Sequence, residues 1–346
     1  MMARSAHSAS PAPDVHPPTP PQDLWRPISA CNRRCLQEPS PTAGRARRAL
    51  RLAAGLVVML GALVLALADH LLLRRGGRGL RLWFRAFLRA LGIRLEVHGG
   101  EEVNRMRGTL LVSNHVSWLD LPAINAAVPS RFVVKSELRS WPFVATLAKS
   151  RNSIYLDRAR PTTLPLTVAD VTRALRAGGI VGVFPESTTW CGRAGGTYRP
   201  ALLQAAIDAG APVRPVVLRY RTSRADPATS VAFVDTSLAN SLRNVVSERW
   251  LCVEVHVLPE LVPLPGESRR ELAARVRTAA ENVRHESRAS DPHRPVIQVL
   301  RASHGPRQVG GHDAGPRPPT TAEGTTGPRS PSDTAAKKGR AGDGPP

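Results

Sequence analysis

Between residues 93 and 290, short apolar runs rich in β-branched residues alternate with stretches of helical periodicity, and this alternation restricts the possible folds most strongly. It predicts an α/β domain in which helices surround a mixed, largely parallel sheet. The predicted strands are Ile93–Val97, Thr109–Ser113, Arg131–Lys135, Ser153–Leu156, Ile180–Phe184, Val213–Tyr220 and Leu251–Leu258. The predicted helices are Leu119–Ala127, Trp141–Ala148, Leu164–Ala177, Ala201–Ala209 and Glu267–Glu286. We therefore expect one folded domain over residues 93–290.

The two ends of the chain differ from this domain in composition. Residues 1–50 and 291–346 are rich in Pro, Ser, Gly and Thr and contain few large apolar residues. Such segments cannot bury enough surface to offset the conformational entropy that folding removes. The composition therefore predicts a disordered Pro-rich arm before the folded part and a disordered tail after it.

An uncharged apolar stretch, residues 52–68, lies between the arm and the domain. Its length is at the short end for a bilayer-spanning helix, which needs roughly 17 to 25 residues. A signal peptide is disfavoured, because the stretch begins far into the chain and no small-residue cleavage site with a mature start follows it. A buried core helix, or a segment that dips into the membrane and returns, is the alternative. The preferred prediction is a membrane-anchoring helix at the start of residues 51–92.

The end of that region has helical periodicity with two different faces. The apolar face consists of Trp83, Phe84, Phe87, Leu88 and Leu91. The other face carries arginines four residues apart, namely Arg81, Arg85 and Arg89. This arrangement is typical of a helix that lies in the headgroup plane and pairs with lipid phosphates. An ordinary amphipathic helix that faces the protein core has the same pattern. We expect the interfacial helix.

The chain is strongly basic, with 48 Lys+Arg against 27 Asp+Glu and a formal net charge of +21. Such an excess fits either a nucleic acid or an anionic membrane surface as partner. No basic stretch is interleaved with aromatic residues in the manner of a recognised nucleic-acid-binding module. We therefore expect a lipid bilayer, and no nucleic acid, as the partner.

Four cysteines occur, at Cys31, Cys35, Cys191 and Cys252. The first two are separated by three residues, but no His or Cys pair follows them at the spacing of a zinc site. The sequence therefore predicts no metal site, and it favours reduced cysteines in a cytosolic domain.

The turn between the second predicted strand and the helix that follows contains His115 and Asp120. Ser117 and Asp120 form a capping box, which predicts that the helix begins at Ser117. His115 then lies just before the cap, where the Asp120 carboxylate can fold back to its imidazole. A carboxylate on one ring nitrogen fixes the tautomer and raises the basicity of the other, as a general base requires. The alternative is a capping Asp120 beside an unrelated exposed His115.

Four short segments, residues 114–120, 153–158, 183–189 and 211–216, have the composition of sequence motifs. In sequence and in order they resemble the motifs of the glycerolipid acyltransferase family, which includes bacterial 1-acylglycerol-3-phosphate acyltransferases. The first resembles the family's H-x4-D motif, and the third resembles its F-P-E-G-T-R motif. Four ordered motifs are far more specific than any one of them. The similarity extends over roughly residues 80 to 290 and identifies the predicted domain as an acyltransferase domain.

The resemblance implies roles for individual residues. His115 would be the general base and Asp120 its partner, Arg158 would contact the phosphate of the acceptor, and Glu186 would help to hold that acceptor. The other substrate-binding positions that it implies are Asn114, Ser117, Ser187, Thr188 and Thr189.

The implied reaction moves a fatty acyl group from acyl-CoA or acyl-carrier protein to the free hydroxyl of a lysophosphatidic-acid-type acceptor. The product would be phosphatidic acid, in phospholipid biosynthesis. A thioester is already activated, so positioning and base catalysis suffice and no cofactor is expected. Because the lysophospholipid acceptor and the product partition into lipid, we expect the cell membrane as location, with the catalytic domain on the cytoplasmic side.

Two positions depart from the family pattern. Ser187 stands where the family usually has Gly, so a position often free to adopt positive φ carries a Cβ. Thr189 stands where the family usually has Arg, which removes a bidentate phosphate donor. Arg158 would then hold the phosphate alone, or Arg193 or Arg199 would substitute. These departures keep two alternatives open, namely transfer to another lysolipid such as lyso-ornithine lipid and a non-catalytic basic membrane-surface protein.

Overall fold

The computed structural model describes residues 28–38, 42–68, 77–100, 103, 106–140, 153–223 and 226–289. Within these residues, seven strands form one sheet in the order β1-β7-β6-β2-β5-β3-β4. Their bounds are β1 Ile93–His98, β2 Leu110–Ser113, β3 Arg131–Lys135, β4 Ile154–Leu156, β5 Val181–Val183, β6 Val213–Thr222 and β7 Leu251–Val257. The pair β6 and β7 is antiparallel and the other neighbours are parallel. The predicted mixed, largely parallel α/β sheet is confirmed.

Helices lie on both faces of this sheet. Their bounds are α1 Arg45–Ala68, α2 Gly77–Ala90, α3 Asp120–Ala127, α4 Leu164–Arg176, α5 Gln204–Ala209, α6 Leu238–Ser247 and α7 Arg269–Ala289. The predicted helix Trp141–Ala148 lies outside the described residues. Helix α6 was not predicted, although Ser237 caps its first turn by accepting a hydrogen bond from the Asn240 N–H.

Strand β2 shows how the core is divided into two layers. Leu110 and Val112 contact one hydrophobic cluster, which includes Leu175 of α4 and Leu272 of α7. Leu111, between them, contacts the cluster on the opposite face. Successive side chains of a strand point to opposite faces, so a strand that is apolar at every position is covered on both sides. The apolar run that predicted this strand is continuous because both faces of β2 are buried.

Helix α2 corrects one expectation. The stripe that was predicted to face lipid faces the protein core instead, with Phe84, Phe87, Leu88 and Leu91 all buried. Arg85 on the other face donates to the Ala126 carbonyl at 3.0 Å, so this arginine joins α2 to α3. Periodicity alone cannot show whether a helix packs against lipid or against a protein sheet, because the same apolar stripe fits both surfaces. The predicted interfacial helix is therefore a core-facing amphipathic helix.

Part of the arm that was predicted to be disordered is packed against the domain. Helix α1 begins at Arg45, and Cys31 and Ala43 are buried. Arg51 on α1 is buried and donates to the carbonyls of Val246 and Glu248 at 2.9 and 2.6 Å. A composition-based prediction counts apolar residues but misses such contacts to backbone carbonyls. Residues 1–27 and the predicted tail 291–346 lie outside the described residues.

The predicted membrane-anchoring helix is not confirmed. Within the described residues, no helix is both long enough and apolar enough to cross a membrane. Helix α1 nonetheless exposes one apolar face, formed by Leu52, Leu56, Val57 and Leu60.

Candidate active site

Three of the predicted motifs meet at one edge of the sheet. Strands β2, β4 and β5 run in the same direction, so their carboxyl ends lie at the same edge. His115 follows the end of β2, Arg158 follows β4, and Glu186 follows β5. In open α/β sheets the ligands bind outside the carboxyl ends of the strands. The strand order therefore brings together residues that are up to 71 positions apart in sequence.

His115 and Asp120 form a hydrogen-bonded pair at the centre of this edge. The distance between His115 Nδ1 and Asp120 Oδ2 is 2.7 Å. The Asp120 side chain is fully buried, whereas 24% of the His115 side chain is exposed. Because Nδ1 is held by the carboxylate, Nε2 is the ring nitrogen left to accept a proton. The predicted pairing of the two residues is therefore present.

The Asp120 carboxylate is held by more than the histidine. Its Oδ2 atom also accepts from the backbone N–H groups of Val116 and Ser117, at 2.6 and 3.0 Å. Its Oδ1 atom accepts from the Tyr220 hydroxyl at 2.6 Å. A buried carboxylate needs such partners, because an unpaired charge in the interior is costly. Tyr220 is a positioning residue that the motifs did not reveal.

The predicted start of α3 at Ser117 is wrong. The helix begins at Asp120, after a turn at residues 118 and 119, and the buried Ser117 Oγ finds no hydrogen-bond partner within the described part of the chain. Only one half of the capping box exists, namely the bond from the Ser117 N–H to the Asp120 carboxylate. The bond from the Asp120 N–H to the Ser117 hydroxyl is missing. The turn places His115 opposite Asp120, and the helix therefore begins three residues later than predicted.

Asn114 anchors the turn from the other side. Its side-chain amide donates to the Leu218 carbonyl at 3.1 Å, and its Oδ1 atom accepts from the Leu218 N–H at 2.8 Å. The Asn114 side chain thus pairs with the backbone of β6 in the way that a residue of a neighbouring strand would. These two bonds engage the buried Asn114 with the protein backbone, whereas the resemblance implied contact with substrate.

Glu186 connects the third motif to the first. Its Oε2 atom accepts from the His115 N–H at 2.7 Å, and its Oε1 atom accepts from the Gly196 N–H at 3.0 Å. Burial raises the pKa of the Glu186 carboxyl from 4.5 to about 7, against the effect of these bonds and of Arg284. Glu186 therefore fixes the backbone of His115. Gly196 is required for this contact, because a Cβ at that position would lie 2.5 Å from Trp190 Nε1.

The two departures from the family pattern have clear structural consequences. Ser187 has a φ of 59°, which is the left-handed conformation that glycine favours. The backbone therefore keeps this conformation even though serine has a Cβ. The Thr189 hydroxyl donates to the Phe233 carbonyl. The Thr189 side chain is therefore bonded to the protein backbone, whereas the arginine usual in the family would be a phosphate donor. Thr188 is half-buried beside it.

Arg158 is the cation of the second motif, and it is half-buried. Burial lowers the pKa of its guanidinium, while the charge of Glu137 raises it and that of Arg199 lowers it further. Arg199 lies at the same edge, because its N–H donates to the Pro185 carbonyl at 3.0 Å. The charges of the two arginines affect each other at the edge of the sheet that also carries His115, and such a pair can attract an anionic group. Arg193, the other predicted substitute, lies instead beside Cys191.

Two aromatic residues in or next to the third motif also contact His115. The imidazole of His115 is stacked on Phe184, with ring centroids 4.1 Å apart and an angle of 13° between the planes. The His115 carbonyl accepts from the Trp190 N–H at 2.8 Å. The sequence offered a weak signal for both, because each lies within or next to the third motif.

A histidine paired with a buried carboxylate has the geometry of a general base, and the same edge of the sheet carries Arg158 and Arg199. A family model described as Acyltransferase matches residues 94–219, which contain these residues. The 1-acyl-sn-glycerol-3-phosphate acyltransferase of Neisseria meningitidis is 36% identical over 49% of this chain and 67% of its own length. The lyso-ornithine lipid O-acyltransferase of Pseudomonas aeruginosa is 30% identical over 58% of this chain and 75% of its own length.

The crystal structure of a 1-acyl-sn-glycerophosphate acyltransferase from Thermotoga maritima has the same fold, with a TM-score of 0.52 at 21% identity. The likeness covers 71% of this chain and 99% of that one. The chain belongs to the glycerolipid acyltransferase family and is an enzyme of the 1-acylglycerol-3-phosphate O-acyltransferase-like type. This assignment favours an enzyme over a non-catalytic membrane-surface protein.

Proposed function

We propose that the protein transfers a fatty acyl group from acyl-CoA or acyl-carrier protein to the free hydroxyl of a lysophosphatidic-acid-type acceptor. The product is phosphatidic acid, and the process is phospholipid biosynthesis. The observation that carries the proposal is the pair formed by His115 and Asp120 at the carboxyl edge of the sheet.

The reaction follows from the orientation of the imidazole. Nε2 of His115 removes the proton from the acceptor hydroxyl, and the oxygen attacks the thioester carbonyl. The thiolate of the donor leaves and takes up the proton from the imidazolium, so the base is regenerated. Asp120 stabilises the imidazolium and prevents the ring from rotating. General base catalysis of this kind contributes roughly 10²- to 10⁴-fold to the rate.

The proposed acceptor site uses Arg158 and Arg199. A phosphomonoester carries close to two negative charges, and two guanidinium groups at the same edge can neutralise them with charge-assisted hydrogen bonds. Thr189 is not a candidate for this role, because its hydroxyl already donates to the Phe233 carbonyl. In this proposal the phosphate is therefore bound by Arg158, which follows β4, and by Arg199, which follows β5.

A second candidate acceptor is a lyso-ornithine lipid, which has no phosphate. It is favoured by the replacement of the family arginine at position 189 and by the similarity to the Pseudomonas relative. The two acceptors make opposite demands on Arg158, because only the first presents a phosphate dianion.

Acceptor competition distinguishes the two. Purified protein receives labelled acyl-CoA with lysophosphatidic acid and lyso-ornithine lipid at equal concentrations, and the products are separated. We expect phosphatidic acid to dominate, and Arg158→Ala to raise the KM for lysophosphatidic acid on the order of tenfold or more, because a charged hydrogen bond is worth roughly 1.5 to 3 kcal/mol. Arg193→Ala is the matched control and should change the KM little. Acylated ornithine lipid as main product, with Arg158→Ala unaffected, would contradict the proposed acceptor.

We also propose that the protein acts at the cell membrane, with its catalytic domain on the cytoplasmic side. The support is the exposed apolar face of α1, because a patch of this kind on a soluble surface usually marks an interaction site. Leu56 and Val57 on that face are 60% and 68% exposed. Flotation with anionic vesicles should recover the wild type in the lipid fraction and lose the double variant Leu56→Glu with Val57→Glu. Equal recovery of both proteins in the lipid fraction would contradict membrane binding through this face of α1.

A further inference from the structure

Three cysteines lie together beside the loop that follows the third motif. Cys31, Cys35 and Cys191 each place a sulfur atom within 4.8 Å of the other two. Cys191 is 156 residues from Cys35 in sequence, which is why the spacing of the cysteines gave no signal of a metal site. Cys252, the fourth, is buried on β7 and is not part of this cluster.

The backbone around the cluster is shaped to hold these sulfurs. A single 3-10 turn, Arg33–Cys35, ends at the second cysteine, and Asn32 caps it by accepting from the Arg34 N–H. The Cys191 N–H donates to the Cys31 sulfur at 3.4 Å. The N–H groups of Arg193 and Ala194 donate toward the Cys191 sulfur. Backbone donors of this kind stabilise thiolates and orient them around a cation.

We propose that Cys31, Cys35 and Cys191 bind a zinc ion. Soft sulfur donors select thiophilic ions such as zinc, and a separation of two to four residues between paired cysteines is typical of structural zinc sites. Zinc–sulfur bonds of about 2.3 Å in a tetrahedral arrangement place the sulfurs about 3.8 Å apart. The three sulfurs lie within 4.8 Å of one another, a limit that includes this separation. A disulfide, by contrast, joins only two of them and leaves the third in contact with the bond.

The ion would clamp the N-terminal segment onto the active-site loop. Cys191 directly follows Trp190, whose N–H holds the His115 carbonyl, and the same loop continues to Gly196, which donates to Glu186. Cys35 is only half-buried, so the cluster reaches the surface, where an ion can enter. The ion would hold the two segments together, and a water molecule entering at the surface beside Cys35 would complete the tetrahedron as fourth ligand. Its three protein ligands do not overlap with the pair of His115 and Asp120.

The first test measures zinc in the full-length protein, purified under reducing conditions without chelators or metal-affinity resin. Elemental analysis of the wild type should give about one zinc ion per chain. Cys35→Ser removes the most accessible ligand and should reduce the zinc content to background. Cys252→Ser is the matched control, because it removes a buried thiol outside the cluster, and it should keep the ion.

The second test reads the ligands directly and is independent of acyl transfer. Cobalt in place of zinc should give thiolate-to-cobalt charge-transfer absorption in the wild type and in Cys252→Ser, and none in Cys35→Ser. A chelator should lower the Tm of the wild type by several degrees and leave that of Cys35→Ser unchanged. The last comparison separates loss of the metal from loss of the fold.

Three results would overturn the proposal. A wild type that binds neither zinc nor cobalt and has all its thiols free would reduce the cluster to core packing. A Cys31–Cys191 disulfide found by mass spectrometry, with no metal bound, would assign the cluster to redox chemistry. Zinc that is retained by Cys31→Ser, Cys35→Ser and Cys191→Ser alike would place the ion elsewhere in the chain.

Discussion

Glu186 shows at the scale of a single residue how one buried side chain connects two distant segments. Its carboxylate accepts two backbone hydrogen bonds, yet burial outweighs them and raises its pKa to about 7. A carboxyl whose pKa is higher in the folded state favours the protonated folded form. Its contribution to stability is therefore fully present below pH 4.5 and is lost as the pH rises through 7.

This linkage predicts a pH-dependent difference between the wild type and Glu186→Gln, which cannot titrate. As the pH rises from 5 to 8, the unfolding free energy of the wild type should fall by about 2 to 3 kcal/mol relative to that of the variant. Chemical denaturation of both proteins at the two pH values measures the difference, and the other titrating groups cancel. A difference that does not change with pH would show that Glu186 is ionised throughout this range.

Ser187 is the residue-scale example of strain at the site. A left-handed conformation costs a residue with a Cβ roughly 1–2 kcal/mol, whereas glycine adopts it freely. Ser187→Gly should therefore raise the unfolding free energy by up to about 1 kcal/mol, after the greater unfolded-state entropy of glycine is subtracted. Ser187→Ala is the control, since it retains the Cβ and should give no such gain. Equal effects of the two substitutions on thermal unfolding would contradict the assignment of strain.

At the scale of elements, helix α1 is attached to the domain through the buried guanidinium of Arg51. It donates to the Val246 and Glu248 carbonyls at the end of α6. Arg51→Met keeps much of the volume and removes the donors, so we expect a loss of about 2 to 4 kcal/mol in unfolding free energy. Arg47→Met, on the exposed side of the same helix, is the matched control. Equal stabilities of the two variants would show that α1 is held by apolar contacts alone.

The same scale shows what the sequence could and could not predict. The central strand β2 was predictable because it is a short apolar run with neighbours on both faces of the sheet, as Leu110 and Leu111 illustrate. The environment of α2 was not, because its stripe fits a lipid surface and a protein surface equally well. The packing of residues 28–38 was also missed, since it depends on contacts such as that between Gln37 N–H and the Thr229 hydroxyl.

At the scale of the whole molecule, the strand order accounts for the site. His115, Arg158 and Glu186 belong to three separate motifs, and the sequence could only order them along the chain. Parallel pairing of the strands that precede them brings all three to one edge. Tyr220 could not be predicted, because its contact with Asp120 depends on the position of β6 beside β2.

The measurement that tests the central claim most directly compares acyl transfer by the wild type and by His115→Ala. Both proteins are purified in detergent and given labelled acyl-CoA with lysophosphatidic acid, and circular dichroism confirms that the variant is folded. The wild type should form labelled phosphatidic acid, and the variant should lose roughly 10²- to 10⁴-fold in rate, as removal of a general base implies. A folded His115→Ala protein that retains activity within a few fold of the wild type would show that His115 is not the base.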